Sequence, residues 1–134
     1  MRPENKLIRD IMTRGVVTVH TDATIKQVAK TLIKQKKSGV AVIGCNGAAM
    51  GIISGMDILK VMGKQGWENI KAENIMTSNI ETIKPTSTLR EAAEIMRIKH
   101  IHRLLVLSEK GLGISQRPVG ILSASDIVRE AMHD

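Results

Sequence analysis

Tyr and Phe are absent from the 134 residues, and Trp67 is the single aromatic. The core must therefore be aliphatic, helped by eight methionines. The same shortage removes the stacking platforms that most single-strand nucleic-acid binders use. Cys45 is the only cysteine, so no internal disulfide can form, and no Cys/His cluster has zinc spacing. His20, His100, His102 and His133 supply only the His100/His102 pair, too little for a metal site. No Gly-x-x-x-x-Gly-Lys-Ser/Thr loop and no Ser/His/Asp or Cys/His arrangement is present, so no catalytic residue is assigned. No apolar run approaches the ~18 residues of a membrane span. The opening Met1-Arg2-Pro3-Glu4-Asn5-Lys6 has no signal-like apolar stretch, so no membrane partner is expected. With one cysteine, a reducing, cytoplasmic setting is expected.

What remains is ordinary globular usage, 43% hydrophobic and 25% charged, which argues against disorder, collagen and coiled coil. The net charge of +7 is unevenly spread. Residues 1–64 carry 11 Lys/Arg against 4 Asp/Glu, and residues 65–134 carry 9 of each. Lys26, Lys30 and Lys34 form an i, i+4, i+8 stripe with Lys36 and Lys37 beside it. That stripe fits a solvated helix face, and it also fits a polyanion such as nucleic acid.

An internal repeat organises the chain. Ile11-Met12-Thr13 returns as Ile75-Met76-Thr77, 64 residues later. At the same offset Thr18-Val19 matches Thr82-Ile83, Thr24-Ile25 matches Thr88-Leu89, and Val42 matches Val106. After five extra residues in the second copy, Gly51-Ile52-Ile53-Ser54-Gly55-Met56-Asp57-Ile58 matches Gly120-Ile121-Leu122-Ser123-Ala124-Ser125-Asp126-Ile127. Residues 1–64 thus form a first repeat with its N-terminal segment, and residues 65–134 a linker and second repeat. Copies this small have little core of their own, so they are expected to pack on one another.

Each copy reads β-α-β-β-α. In the first, Val16–Val19 is a short β-branched strand. Thr24 and Gln27 have capping-box spacing, and Ile25, Val28, Ala29, Leu32 and Ile33 line one helical face, broken at Gly39. Val40-Ala41-Val42-Ile43 reads as a buried strand, Gly51-Ile52-Ile53 as the next, and Ser54–Met62 as a second helix. In the second, Ile80–Ile83, a helix capped by Thr88 and Glu91, Leu104–Leu107, a hairpin loop at residues 109–118, Val119–Leu122 and Ser125–Met132 repeat the order. Residues 63–73 read as the link.

The doubled Ile-Met-Thr opening, the doubled capped helix and the doubled Gly-x-x-Ser-x-x-Asp-Ile close resemble a tandem pair of CBS domains, the cystathionine-β-synthase-type regulatory module. The resemblance covers roughly residues 7–132. It implies an α/β fold of two β-α-β-β-α repeats related by a pseudo-two-fold axis, with sheets packed face to face and helices outside. It also implies clefts between the copies for adenine nucleotides or adenosyl compounds, no required cofactor, and a flat homodimer that signals to a regulated protein by a conformational shift.

Site residues follow by the same resemblance. Asp57 and Asp126 match the aspartate that accepts ribose hydroxyls, although an acid there also stabilises its helix N-terminus. Ser54 and Ser123 stand where strand becomes helix, suited to an anion or to a plain N-cap. Val16, Thr18, Ile80 and Thr82 match the strand that lines an adenine slot, and are equally compatible with simple strand burial. His102 and Arg103 resemble the His-Arg-Leu stretch of the γ subunit of the AMP-activated kinase, where both contact phosphate. A guanidinium fork suits that group, and a surface cation closing a helix is the plain alternative. The first copy has Ser38-Gly39 at these positions. Met56 and Ser125 precede the motif aspartates, where many relatives carry a cation. This thin positive charge favours AMP or an S-adenosylmethionine-type ligand over ATP. A nucleic-acid-binding module and a purely structural dimerisation module are the alternatives.

Overall fold

Helix caps, β-branched runs and glycine turns set the elements. The computed structural model describes residues 2–12, 16–108 and 117–132. Thr13, the hairpin-loop residues 109–116 and His133 lie outside the described residues. After a 3-10 turn at Pro3–Asn5 comes a short helix α1 (Ile8–Ile11). Then follow β1 (Thr18–His20), α2 (Ile25–Gln35), β2 (Gly39–Ile43), β3 (Ala49–Ser54) and α3 (Gly55–Val61). After single 3-10 turns at Trp67–Asn69 and Ala72–Asn74 the order recurs as β4 (Thr82–Ile83), α4 (Leu89–Lys99), β5 (Arg103–Leu107), β6 (Pro118–Ser123) and α5 (Ala124–Ala131).

The two sheets share one plan. In the first, β2 lies between a parallel β1 and an antiparallel β3, with Thr18 opposite Ala41 and Gly39 opposite Ser54. In the second, β5 lies between β4 and β6, with Thr82 opposite Leu105 and Arg103 opposite Ser123. The fold class is therefore α/β with a doubled β-α-β-β-α unit. The first strand of each copy is shorter and later than its β-branched run suggests. Val16 and Ile80 precede β1 and β4, because parallel pairing to the central strand starts only at Thr18 and Thr82.

Capping explains the helices. The Thr24 hydroxyl accepts the Gln27 N–H at 3.2 Å, and Gln27 Oε1 accepts the Thr24 N–H at 2.9 Å, the full reciprocal box. In α4 half of it forms. The Thr88 hydroxyl accepts the Glu91 N–H at 3.2 Å, and the Glu91 carboxylate meets that hydroxyl rather than the backbone. At the other end, α2 stops before Gly39. Lys36 turns left-handed, with φ 53°, and the Lys37 N–H reaches back to the Leu32 carbonyl at 3.0 Å. His100 does the same after α4, with φ 54°, and the Ile101 N–H bonds the Met96 carbonyl at 3.1 Å. These are Schellman-type endings with a non-glycine residue in the left-handed position.

Packing divides the chain into two compact units that cut across the sequence repeats. One is Val16–Ile80; the other joins Met1–Gly15 to Glu81–Asp134. The reason is a reciprocal exchange of leading segments. Leu7 bridges Thr88, through Ile8 N–H to the Ser87 carbonyl and Leu89 N–H to the Lys6 carbonyl, at 2.8 and 2.9 Å. Sixty-four residues on, Lys71 bridges Thr24, through Ile25 N–H to the Ile70 carbonyl and Ala72 N–H to the Ala23 carbonyl, at 2.9 and 2.7 Å. Ile8 is fully buried among Leu89, Met96, Leu104 and Val106. Ala72 is fully buried with Ile25, Val28, Val42 and Ile53, and Trp67 packs against that cluster. Residues 67–77 are thus structural members of the first-repeat unit rather than a tether. Among the described residues no helix is long and apolar enough to cross a membrane.

Candidate functional site

The motif serine ends β6 and caps α5. Ser123 Oγ accepts the Asp126 N–H at 3.1 Å, and Asp126 Oδ2 accepts the Ser123 N–H at 2.8 Å. This box fixes the carboxylate at the helix entrance by satisfying two otherwise orphaned amides. Asp126 Oδ1 receives Arg129 Nη1 at 3.2 Å, one helical turn on. A carboxylate has about four lone-pair sites, so both oxygens keep acceptor capacity.

Beside this carboxylate lies a cavity of about 200 Å³. Ile11 and Met12 from the leading segment and Ile121 and Leu122 of β6 supply its apolar wall; Asp126, Arg129 and Glu130 of α5 supply the charged one. Glu130 is tied to Lys6, whose Nζ lies 2.7 Å from its Oε1. The volume is below the ~300–1,000 Å³ of pockets that enclose drug-sized ligands, so it suits a sugar and its adjoining group rather than a whole nucleotide.

In the other unit the Ser54 N–H and hydroxyl both donate to Asp57 Oδ2, at 2.8 and 3.1 Å. Ser54 is 6% exposed, so its hydroxyl serves the aspartate rather than solvent. Asp57 Oδ1 has no partner among the described residues. Gly51 on β3 is pressed against the Met76-Thr77 segment, and Ile52 exchanges backbone bonds with Thr77 at 3.1 and 2.9 Å.

The remaining expected site residues divide between the units. Val16, Thr18 and Ile80 lie in the unit that holds Ser54 and Asp57; Thr82, His102 and Arg103 lie in the unit that holds Ser123 and Asp126. Thr18 and Thr82 are exposed first residues of their strands. His102 is exposed, and its carbonyl accepts the Ala124 N–H at 2.9 Å. Arg103 stands directly across the sheet from Ser123, and its Nε is buried with no hydrogen-bond partner among the described residues. The matching position in the first copy is Gly39, across from Ser54. Arg129 and Glu130 are cavity residues that the motif reading passes over; their i+3 and i+4 spacing from Asp126 was the available signal. Among the described residues no group of three or more His, Cys, Asp or Glu could hold a metal ion.

Comparisons with known proteins agree with this geometry. The family model of the CBS domain matches twice, at residues 8–64 and 72–133. Homoserine O-acetyltransferase of Methanococcoides burtonii is 32% identical over 122 residues, which is 91% of this chain and 23% of that protein. The chain spans roughly a quarter to a half of the length of the curated relatives it matches first. Among solved structures, the CBS domain pair of protein MJ0100, in complex with 5′-methylthioadenosine and S-adenosyl-L-methionine, is 28% identical with a TM-score of 0.81, covering 93% of this chain and 94% of that one. A CBS-domain-containing protein of Agrobacterium tumefaciens is 27% identical with a TM-score of 0.80, covering 98% of each chain. With the doubled sheet, the doubled Ser-Asp box and two family matches that span most of its length, the chain belongs to the CBS-domain family as a tandem pair.

Proposed function

We propose that the chain is a regulatory module that senses an adenosine-containing small molecule, with Asp126 holding its ribose. The observation that carries the reading is the cavity against Asp126, where a carboxylate oriented by Ser123 faces an aliphatic wall. A carboxylate with spare acceptor sites suits a vicinal diol, and Ile, Leu and Met suit the apolar parts of a nucleoside in a chain without Phe or Tyr. The related MJ0100 pair, with its two adenosyl ligands, supports the ligand class. Asp57 with Ser54 takes the equivalent role in the other unit, Val16, Thr18, Ile80 and Thr82 contribute to base binding, and His102 and Arg103 serve an anionic group. The unused Arg103 Nε is a donor in want of an acceptor. The module does no chemistry of its own in this reading and acts on a regulated protein as a homodimer.

Calorimetry with adenosine, AMP, 5′-methylthioadenosine and S-adenosylmethionine tests it. Asp126→Asn is the cleaner variant, because its amide oxygen still accepts the Ser123 N–H, whereas Asp126→Ala would also undo the cap. Losing a hydrogen bond to a charged group costs about 1.5–3 kcal/mol, or roughly ten- to a hundredfold in affinity. If all four compounds fail to bind the wild-type chain at millimolar concentration, the reading is wrong.

One observation favours a second reading. Lys26, Lys30, Lys34, Lys36 and Lys37 on and after α2 are exposed and form no ion pair among the described residues, whereas α4 pairs Arg90, Arg97 and Lys99 with glutamates. A polyanion would be held there with an affinity that falls steeply as salt rises.

A further inference from the structure

We infer that Arg129 selects the ligand's 5′ substituent, favouring an anionic 5′-phosphate over a neutral nucleoside. The inference rests on the adenosyl reading of the same cavity and adds to it the residue that ranks ligands. Among the described residues that line the cavity, Arg129 is the only cation. It stands three residues beyond Asp126 on α5, a rise of about 4.5 Å along the helix. A ribose on Asp126 therefore presents its neighbouring group within reach of the long guanidinium side chain.

Its present partner does not commit it. The bond to Asp126 Oδ1 is a single 3.2 Å contact of an i, i+3 pair whose arginine side chain is 72% exposed. Such surface pairs are weak. A guanidinium has five N–H donors in a planar fork, so most remain for a phosphate, and the fork matches two phosphate oxygens at once. The second carboxylate of the wall, Glu130, would repel a phosphate. It is matched by Lys6 at 2.7 Å, with both side chains partly buried, so its charge is largely offset. The first repeat carries Lys60 at the position of Arg129 and Val61 at that of Glu130, so it keeps a cation there but lacks the guanidinium fork and the second carboxylate.

The test is calorimetry with AMP and adenosine on the full chain carrying Asp57→Asn, so that only this cavity reports, with and without Arg129→Gln. Arg129→Gln is expected to weaken AMP at least tenfold, the effect of losing a charge-assisted hydrogen bond. Adenosine should stay within about twofold, since it offers the guanidinium no anion. Arg97→Gln, an equal change of net charge on exposed α4, should leave both ligands unchanged. Equal weakening of AMP and adenosine by Arg129→Gln would mean that the residue merely orients Asp126, and would overturn the inference. No change in either ligand would overturn it as well. If the chain binds neither compound, the adenosyl reading falls and this inference with it. If it binds adenosine at Asp126 but the AMP preference ignores Arg129, only this inference falls.

Discussion

The same substitution, Gly→Ala, should have opposite effects at two positions four residues apart. At Gly51 an added Cβ would lie 2.8 Å from the Thr77 carbonyl oxygen and 2.8–2.9 Å from the Met76 sulfur and Cγ. The methionine can swing away. The carbonyl cannot, because Thr77 is paired to Ile52 by backbone bonds of 3.1 and 2.9 Å. Restoring an ordinary contact needs a retreat of about 0.6 Å, which stretches both bonds past the ~3.2 Å limit of good N–H···O geometry. At about 0.5–1.5 kcal/mol net per bond the loss is roughly 1–3 kcal/mol. Alanine returns about 0.4–1 kcal/mol by narrowing the unfolded ensemble, which leaves Gly51→Ala about 1–2 kcal/mol less stable. At Gly55, the first residue of α3, a Cβ meets nothing within 4 Å. Gly55→Ala should therefore gain about 0.4–1 kcal/mol. Thermal unfolding followed by circular dichroism reads both. Near 134 residues a kcal/mol is worth about 3–5 °C, so Tm should fall by roughly 3–10 °C for Gly51→Ala and rise by roughly 1–5 °C for Gly55→Ala. A Gly51→Ala chain as stable as wild type would refute the close approach of residues 76–77 to β3.

Ile8→Ala should cost about 2–5 kcal/mol in urea unfolding, as for a fully buried core side chain, and a cost under about 0.5 kcal/mol would deny the leading segment its place in that core. Lys36→Gly and His100→Gly should each raise stability by about 0.5–1 kcal/mol by relieving the left-handed strain, net of glycine's extra chain entropy; a lower urea midpoint in either would contradict the Schellman endings. Sedimentation at tens of micromolar should show a dimer, since Met56 and Leu59 on α3, Val128 on α5 and Met132 just past its end are all more than half exposed.

The doubled element order was readable because each signal is local. Thr24 with Gln27, the 3.6-residue apolar period of α2 and α4, and the apolar runs of β2 and β5 act within a few residues. What escaped either bears no local mark or depends on neighbours that sequence distance hides. Lys36 and His100 carry no glycine mark, and the sequence places the end of α2 at Gly39, three residues past the left-handed Lys36. The Ser54 hydroxyl gave no sign that it would be buried on Asp57. Arg129 and Glu130 look like ordinary helix surface until Ile11 and Met12 arrive from more than a hundred residues away to form the opposite wall. Residues 63–73 looked like a connector because nothing near them in sequence shows that Ala72 will be buried against Ile25 and Ile53.

A solitary repeat of this kind could not complete itself. It would carry a loose leading segment and, at the cap of its first long helix, an empty seat, and the two do not fit within one copy: Leu7 sits at Thr88 and Lys71 at Thr24. The cheapest remedy for a lone copy is a second one that trades segments with it. Fusing two copies end to end turns that trade into an intramolecular event at high effective concentration. Cleavage between residues 64 and 65 would accordingly yield two incomplete fragments rather than two domains. Each would hold the other's missing piece, and their joint stability would rise with concentration, as it does for partners that fold only together.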